Sequence, residues 1–588
     1  MTSADHESRR GAARLARYVP ALSWVPRYRA DWLRSDAVAG FTIWGLLIPE
    51  GIAYAGLAGL PPQAGLYTLL ASLVLYAVFG TSRQLVVAGT SASAVLVYST
   101  VSALHPKGTA AYGSLATGLI ILTGILFLCS GLFRLGFITQ FLSRPVMEGF
   151  VFGLAIFVAV GQLPKLFGLT KGSGDTIAQF VHLLAHLGDA SWVTFAVGAV
   201  ALVLLFALDR VKRVPGGLVV LAAAIVVSTV LRLDRHGVDT VGKVPAGLPS
   251  LHGLNISVSD LWVLLPSAAG MMLVIFSEAL GAADTFAEKH GYQLDASQEM
   301  IALGLANIGS GFIGGLAAGG SLSQSSVNDG AGARSEMSPV IAAGLSLITV
   351  VALTPLFTNL PEAVLAAMII HAVSHLMKVA EMRRFYRLVR REFWLGMITL
   401  VGVITLDVLP GLVIGVVLSL LVLAYWASRP PFSVMGANLD IPGAYEDVKR
   451  HHSARLVPGV LVIRPDAPLF YANAKPLRDA VRRLMESSAP VRALVLDLDA
   501  TDELDVTSAE ALAAITADMR ARHVRLGLAH LHAGPADLLR ELDGNRDSIG
   551  WQAFPTLDAA VRWATGEGPP GAVPAPREVH RGAAREPT

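Results

Sequence analysis

Two carboxylates sit where carboxylates are expensive. Glu278 lies inside the apolar run 261–283, and Glu50 lies inside the apolar run 37–55. An acid within a bilayer-length helix costs roughly 2.5–3.5 kcal/mol on insertion scales, so by default it marks a site that handles protons, ions or solute. Tyr54 follows Glu50 by four residues, which puts both on one helical face. Two stretches of small polar residues accompany them, Gly89-Thr90-Ser91-Ala92-Ser93 and Gly319-Gly320-Ser321-Leu322-Ser323. They interrupt apolar sequence at matching places in the two halves of the chain. A Leu-x-x-Pro or Leu-Pro entry to a later span follows each, at Pro145 and Pro361. Paired interruptions of this kind point to discontinuous membrane helices around a binding site. Close helix packing also uses Gly and Ser, but it does not require matched positions.

The elements that must position these residues are apolar helices. The 588 residues are 53% hydrophobic and only 15% charged, whereas soluble domains carry about 25% charged residues. Apolar segments of spanning length fall near 37–55, 65–79, 109–133, 146–162, 192–208 and 218–233, and again near 261–283, 296–315, 338–357, 362–376, 393–409 and 412–427. The interrupted stretches 86–100 and 323–333 count as half-spans, which brings the expectation to fourteen spans. Basic residues mark alternate loops, from Arg83 through Arg134 and Arg144, Arg210 to Arg213, Lys289 and Arg334 to the dense run Lys378–Arg391. With seven arginines ahead of the first span and no signal-like cleavage site, both termini are expected in the cytoplasm of a bacterial inner-membrane protein. The net charge of +2 gives no reason to expect nucleic acid, and the single cysteine, Cys129, excludes an intramolecular disulfide.

Beyond 428 the pattern changes. The expected domains are a basic N-terminal segment 1–35, a transmembrane transport domain 36–428, a linker 429–445, an α/β domain 446–566 and a disordered tail 567–588. Strand-like runs at 459–463, 493–498 and 524–529 alternate with helical patterns at 475–485, 508–521 and 536–542. His451-His452 reads as surface, the acidic residues Asp497, Asp499, Asp502, Glu503 and Asp505 as a solvated edge, and Asp284 as an edge carboxylate.

Ile48-Pro49-Glu50-Gly51-Ile52-Ala53-Tyr54-Ala55, Leu60-Pro61-Pro62, Gly80-Thr81-Ser82-Arg83-Gln84, Gly304-Leu305-Ala306-Asn307-Ile308 and the stretch 320–334 occur in one order. Together they resemble the signatures of the sulfate permease (SulP) anion-transporter family. Ala467-Pro468-Leu469-Phe470-Tyr471-Ala472-Asn473 and Leu504-Asp505-Val506-Thr507-Ser508 resemble a STAS domain. The resemblance implies seven plus seven inverted spans with a uracil-permease-like core and gate, and a homodimer in the lipid bilayer. It also implies two half-helices aiming their N-termini, each with about half a positive charge, at a central anion. The substrate residues it implies are Glu50, Tyr54, Thr90, Ser91, Glu278, Ser323 and Gln324. It places Thr507 where related domains carry a phosphorylated hydroxyl, against the plainer reading of Thr507 as a helix N-cap.

This chain departs from the family pattern. Gln324 stands where many relatives have arginine, Ala88-Gly89 where Gly-Pro is usual, and Glu50 where many animal relatives have glutamine. Two ionised glutamates would offset both helix dipoles and repel an anion. Protonation of Glu50 or Glu278 would restore attraction, so symport with a proton is expected, with Na⁺ at Glu278 as the other coupling ion. Three readings follow: a carrier of sulfate, bicarbonate or a dicarboxylate; a proton-coupled carrier of a neutral solute such as a nucleobase; and a membrane sensor signalling through the STAS domain. No nucleophile motif, phosphate loop or metal-ligand constellation is legible, so neither enzyme activity nor a cofactor is expected.

Overall fold

The computed structural model describes residues 18–105, 107–136, 143–172, 174–210, 216–245, 247–251, 256–406, 408–488, 490–543 and 550–569. The tail expected at 567–588 lies almost wholly outside these residues. The chain divides into two units, Met1–Ser419 and Leu420–Thr588.

The first unit is helical. Its first half runs α1 (Leu33–Leu57), α2 (Pro62–Phe79), β1 (Val87–Gly89), α3 (Ser91–Ser102), α4 (Ala110–Leu132), α5 (Arg144–Phe167), α6 (Thr176–Ala185), α7 (Trp192–Leu208) and α8 (Gly216–Leu231). Its second half runs α9 (Val258–His290), α10 (Ala296–Phe312), β2 (Ala318–Gly320), α11 (Leu322–Gly330), α12 (Met337–Ile348), α13 (Glu362–Ser374), α14 (Val379–Leu388), α15 (Arg390–Leu406) and α16 (Val408–Ser428), whose residues from Leu420 onward belong to the second unit. Eight helical stretches among the described residues are long and apolar enough to cross a bilayer, and four shorter apolar helices accompany them. Helices α7 and α8 leave Trp192, Val200, Val203, Val226 and Val230 exposed. Apolar side chains turned outward in such numbers belong against lipid.

Small residues let these helices approach. A Cβ on Gly65 of α2 would come within 1.8 Å of the Gly51 carbonyl oxygen on α1, so the crossing needs glycine there. Expected and observed spans agree closely where hydropathy is continuous. They differ at α6, a ten-residue amphipathic helix within a stretch expected as a loop.

The second unit holds β3 (Phe432–Asn438), β4 (Tyr445–Asp447), β5 (Ala454–Arg455), β6 (Val460–Pro465), α17 (Ala474–Ser487), β7 (Ala493–Asp497), α18 (Val506–Ala521), β8 (Arg525–Ala529), α19 (Ala533–Asp543), β9 (Trp551–Phe554) and α20 (Leu557–Thr565). Strand order is β4-β3-β6-β7-β8-β9, with β5 beside β3. Strands β6 to β9 are parallel and β3 is antiparallel to β6. The parallel strands are buried on both faces, which is why 460–463 and 493–496 read as unbroken apolar runs. On one face pack Leu477, Val481, Leu512, Ile515 and Met519; on the other pack Leu557, Val561 and Trp563.

Two expectations need correcting here. The segment 429–445 is not only a linker, because β3 within it pairs with β4, β5 and β6. Its prolines flank the strand instead of interrupting it. Asp497 is not part of a solvated edge: it is fully buried, accepts from Arg464 Nε at 2.7 Å, and lies 2.7 Å from His530 Nδ1. As the last residue of a central strand it faces the domain interior, where a carboxylate requires such partners. His451 and His452 are exposed, as expected.

Candidate functional site

The two small-polar stretches meet. Strands β1 and β2 pair antiparallel, Val87 with Gly320, Ala88 with Gly319 and Gly89 with Ala318. Antiparallel strands send their following helices in opposite directions, so α3 and α11 face each other by their N-termini across a ribbon roughly 10 Å long. Thr90 caps α3: the Ser93 N–H donates to Thr90 Oγ1 at 3.1 Å, and the Thr90 N–H donates to Ser93 Oγ at 3.2 Å. Ser321 caps α11, its Oγ accepting from Gln324 N at 3.5 Å. The second half-helix thus starts at Leu322, one residue before Ser323, because a serine at 321 is available as cap.

Irregular backbone at membrane depth must find partners inside the protein. Here side chains supply them. Asn307 of α10 acts as a short strand partner for β2, accepting from Ala318 N at 2.9 Å and donating to Ala318 O at 2.8 Å. Ser72 Oγ donates to Val87 O at 2.7 Å, Val86 N donates to Ser325 Oγ at 2.9 Å, and Ser93 Oγ donates to Ala317 O at 2.8 Å. These residues position the site without lining it, and the sequence alone gave them no role. The signal that could have found them is polarity inside apolar spans at the level of the interruptions.

Around the ribbon stand the two glutamates. Gln324 Nε2, in the first turn of α11, donates to Glu50 Oε2 at 2.7 Å and to the Gly89 carbonyl oxygen at 3.4 Å. One amide therefore joins α1, β1 and α11. Gln324 Oε1 is buried and has no partner among the described residues. Tyr54, one turn beyond Glu50, lies within electrostatic reach of both Glu50 and Glu278. On the α9 side, β2 packs closely: a Cβ on Gly320 would stand 2.9 Å from the Cα of Ala279, the neighbour of Glu278. Glu50 and Glu278 remain partly accessible and Ser323 is exposed, whereas Tyr54, Thr90, Ser91 and Gln324 are buried. The arrangement sets two helix N-terminal caps and the Glu50 carboxylate around one ribbon, with Glu278 on the helix packed against β2.

A second buried polar group lies between α2, α10 and the start of α12. Glu299 accepts from Tyr76 Oη at 2.7 Å, and from Thr81 N at 2.8 Å and Thr81 Oγ1 at 2.6 Å. Asp36 accepts from Arg334 N and Ser335 Oγ, both at 2.7 Å. Glu336 is buried with neither carboxylate oxygen bonded among the described residues, and the charges acting on it are those of Glu299 and Asp36. None of these three acids was singled out from sequence as a site residue.

In the second unit Thr507 is exposed in the first turn of α18. It is not the cap; Asp505 is, accepting from Ser508 N at 2.8 Å.

Comparison with known proteins matches two segments of the chain to families. The model of the sulfate permease family matches residues 33–399, and that of the STAS domain matches 452–560. A probable sulfate transporter of Mycobacterium tuberculosis is 34% identical over 551 residues, covering 93% of this chain and 98% of its own. Sulfate transporter 3.1 of Arabidopsis thaliana is 31% identical, over 90% of this chain and 83% of its own. Solute carrier family 26 member 6 of Homo sapiens is 33% identical, over 81% and 66%. Among solved structures, the murine solute carrier 26 family member A9 anion transporter in the inward-facing state superposes with TM-score 0.86 at 23% identity, over 94% of this chain and 95% of that one. The transmembrane domain of a cyanobacterial bicarbonate transporter does so with TM-score 0.59 at 22% identity, over 66% and 98%.

Proposed function

We propose, since the chain belongs to the sulfate permease family, that it is a multi-pass membrane carrier of a small anion, with sulfate, bicarbonate and dicarboxylates as the substrate class. Its relatives are transporters and not enzymes. The observation that carries the reading is the β1–β2 pairing, which sets the caps of α3 and α11 across one ribbon beside Glu50 and Tyr54. Each helix N-terminus contributes about half a positive charge and unpaired N–H groups. Thr90, Ser91, Ser323 and Gln324 would then bind the anion, with Glu50, Tyr54 and Glu278 around it. Alternating access would move this ribbon and its helices against α5 to α8 and α13 to α16. A homodimer in the bacterial inner membrane with both termini in the cytoplasm belongs to the same reading.

Coupling rests on charge. With Glu50 and Glu278 both ionised, two negative charges outweigh the helix dipoles. Protonating one of them makes the pocket attractive to an anion, so the proton and the anion travel together. Gln324 supports Glu50 as the carrier: its Nε2 serves the ionised carboxylate, and its unpartnered Oε1 can accept from the protonated one. The test is uptake of labelled sulfate into proteoliposomes under an inward proton gradient. Stimulation in the wild type and its loss in Glu50→Gln or Glu278→Gln is expected. Uptake indifferent to the gradient and to both substitutions removes proton coupling; dependence on Na⁺ transfers the role to that ion. A neutral amide in place of arginine also suits a nucleobase, and this second reading is separated from the first by substrate choice.

A further inference from the structure

Away from the ribbon, the C-terminal ends of α7 and α13 bring together three side chains from distant parts of the sequence. Asp209 follows the last residue of α7, while His371 and His375 lie one turn apart at the end of α13. His371 Nε2 stands 2.7 Å from Asp209 Oδ2, and His375 Nε2 stands 3.4 Å from the same oxygen. One ligand atom from each residue lies within 4.8 Å of the other two. Around a tetrahedral zinc ion with bonds of about 2.0–2.1 Å, ligand atoms sit roughly 3.3 Å apart.

The hydrogen bonding points the same way. His375 Nδ1 lies 3.0 Å from the carbonyl oxygen of His371, so it carries the proton and donates. With Nδ1 so engaged, Nε2 is the His375 ring nitrogen that faces the Asp209 carboxylate. A backbone carbonyl orienting the far ring nitrogen is the usual support for a metal-ligating histidine. Phe206 packs edge-on against the His371 ring, with centroids 4.9 Å apart, and holds its plane. The side chains of His375 and Asp209 are 54% and 41% exposed, which leaves an entry path and an open coordination position.

We propose that Asp209, His371 and His375 form a binding site for one divalent transition-metal ion of the zinc class, fastening α7 to α13. Imidazole and carboxylate donors in a three-ligand set suit zinc, nickel and cobalt. No local spacing betrays it, since the aspartate and the first histidine are 162 positions apart.

The experiment uses the full-length protein, stripped with chelator and freed of any affinity tag, titrated with Zn²⁺ alone and with Co²⁺ alone. One zinc per chain with micromolar or tighter Kd, a melting temperature raised by several degrees, and a visible Co²⁺ absorption band are expected. His375→Ala and Asp209→Asn should each weaken binding at least tenfold and abolish the band. The pair His182 and His186, whose rings stack 4.1 Å apart, serves as control. Binding unaffected by His375→Ala and Asp209→Asn but lost in His182→Ala overturns the assignment. So does absence of stoichiometric zinc binding, which would leave an imidazolium–carboxylate pair.

Discussion

Gln324 Nε2 donates to Glu50 Oε2 at 2.7 Å, joining the first turn of α11 to the middle of α1. At this position many relatives carry an arginine, whose charge this chain lacks. The amide holds the glutamate in place without neutralising it. On the proposed reading, the protonation state of Glu50, and not a fixed cation, decides the sign of the pocket.

Gln324→Arg should therefore make the site attractive to anions without a proton. Two unit charges about 4 Å apart interact by about 4 kcal/mol near a protein surface, part of which desolvation offsets. An increase of about tenfold in affinity for a divalent anion at neutral pH is expected, with weaker dependence of uptake on the proton gradient. Titration calorimetry and proteoliposome flux read the two effects.

The α1–α2 crossing admits no side chain at Gly65. A Cβ there would lie 1.8 Å from the Gly51 carbonyl oxygen, whereas one on Gly56 would meet nothing within 4 Å. Overpacking of this kind typically costs about 1–3 kcal/mol, more when backbone must move. Gly65→Ala should lower the melting temperature sharply or abolish folded yield on size exclusion. Gly56→Ala should leave both unchanged.

The buried acids between α2, α10 and α12 differ in how well they are served. Glu299 has three donors, so Tyr76→Phe removes one and should destabilise by about 1–3 kcal/mol. Glu336 has no partner among the described residues, and an unpaired buried charge is costly. Glu336→Gln should raise the melting temperature at pH 8. Opposite shifts in the two variants, measured by tryptophan fluorescence, are the expected pattern.

Helix α18 depends on Asp505. Burial pushes the Asp505 carboxyl up, but the N–H groups of Ser508 and Tyr471 outweigh it and hold the group below the usual carboxylate range. A lowered folded value means the unfolded chain binds protons first. The cap's contribution is complete above about pH 4, the ordinary aspartate value, and fades as pH falls through the lower folded one. Asp505→Ala should cost about 1 kcal/mol locally and speed amide exchange in the first turn of α18 about fivefold at pH 7. That difference should shrink toward acid pH.

Hydropathy made the spans legible because lipid demands continuous apolar sequence, and Glu50, Tyr54 and Glu278 stood out against it. The half-helices were visible for the same reason in reverse, as polar interruptions. Their pairing was not. Strands of three residues such as Val87-Ala88-Gly89 carry no alternation, and their partner lies more than two hundred positions away. The bond between Gln324 and Glu50 depends on that pairing and was hidden with it. Strand β3 was missed because its flanking prolines read as a linker, and Asp497 because a buried ion pair leaves no local mark in sequence.

The claim on which the rest depends is that the ribbon, the two half-helix caps and Glu50 form a pocket for anions. Labelled sulfate, bicarbonate, fumarate and uracil, each offered to proteoliposomes of the purified protein preloaded with the unlabelled compound, address it directly. Exchange of at least one anion, with none of uracil, is the expected result. Exchange of uracil alone, or of none of the four, would contradict it.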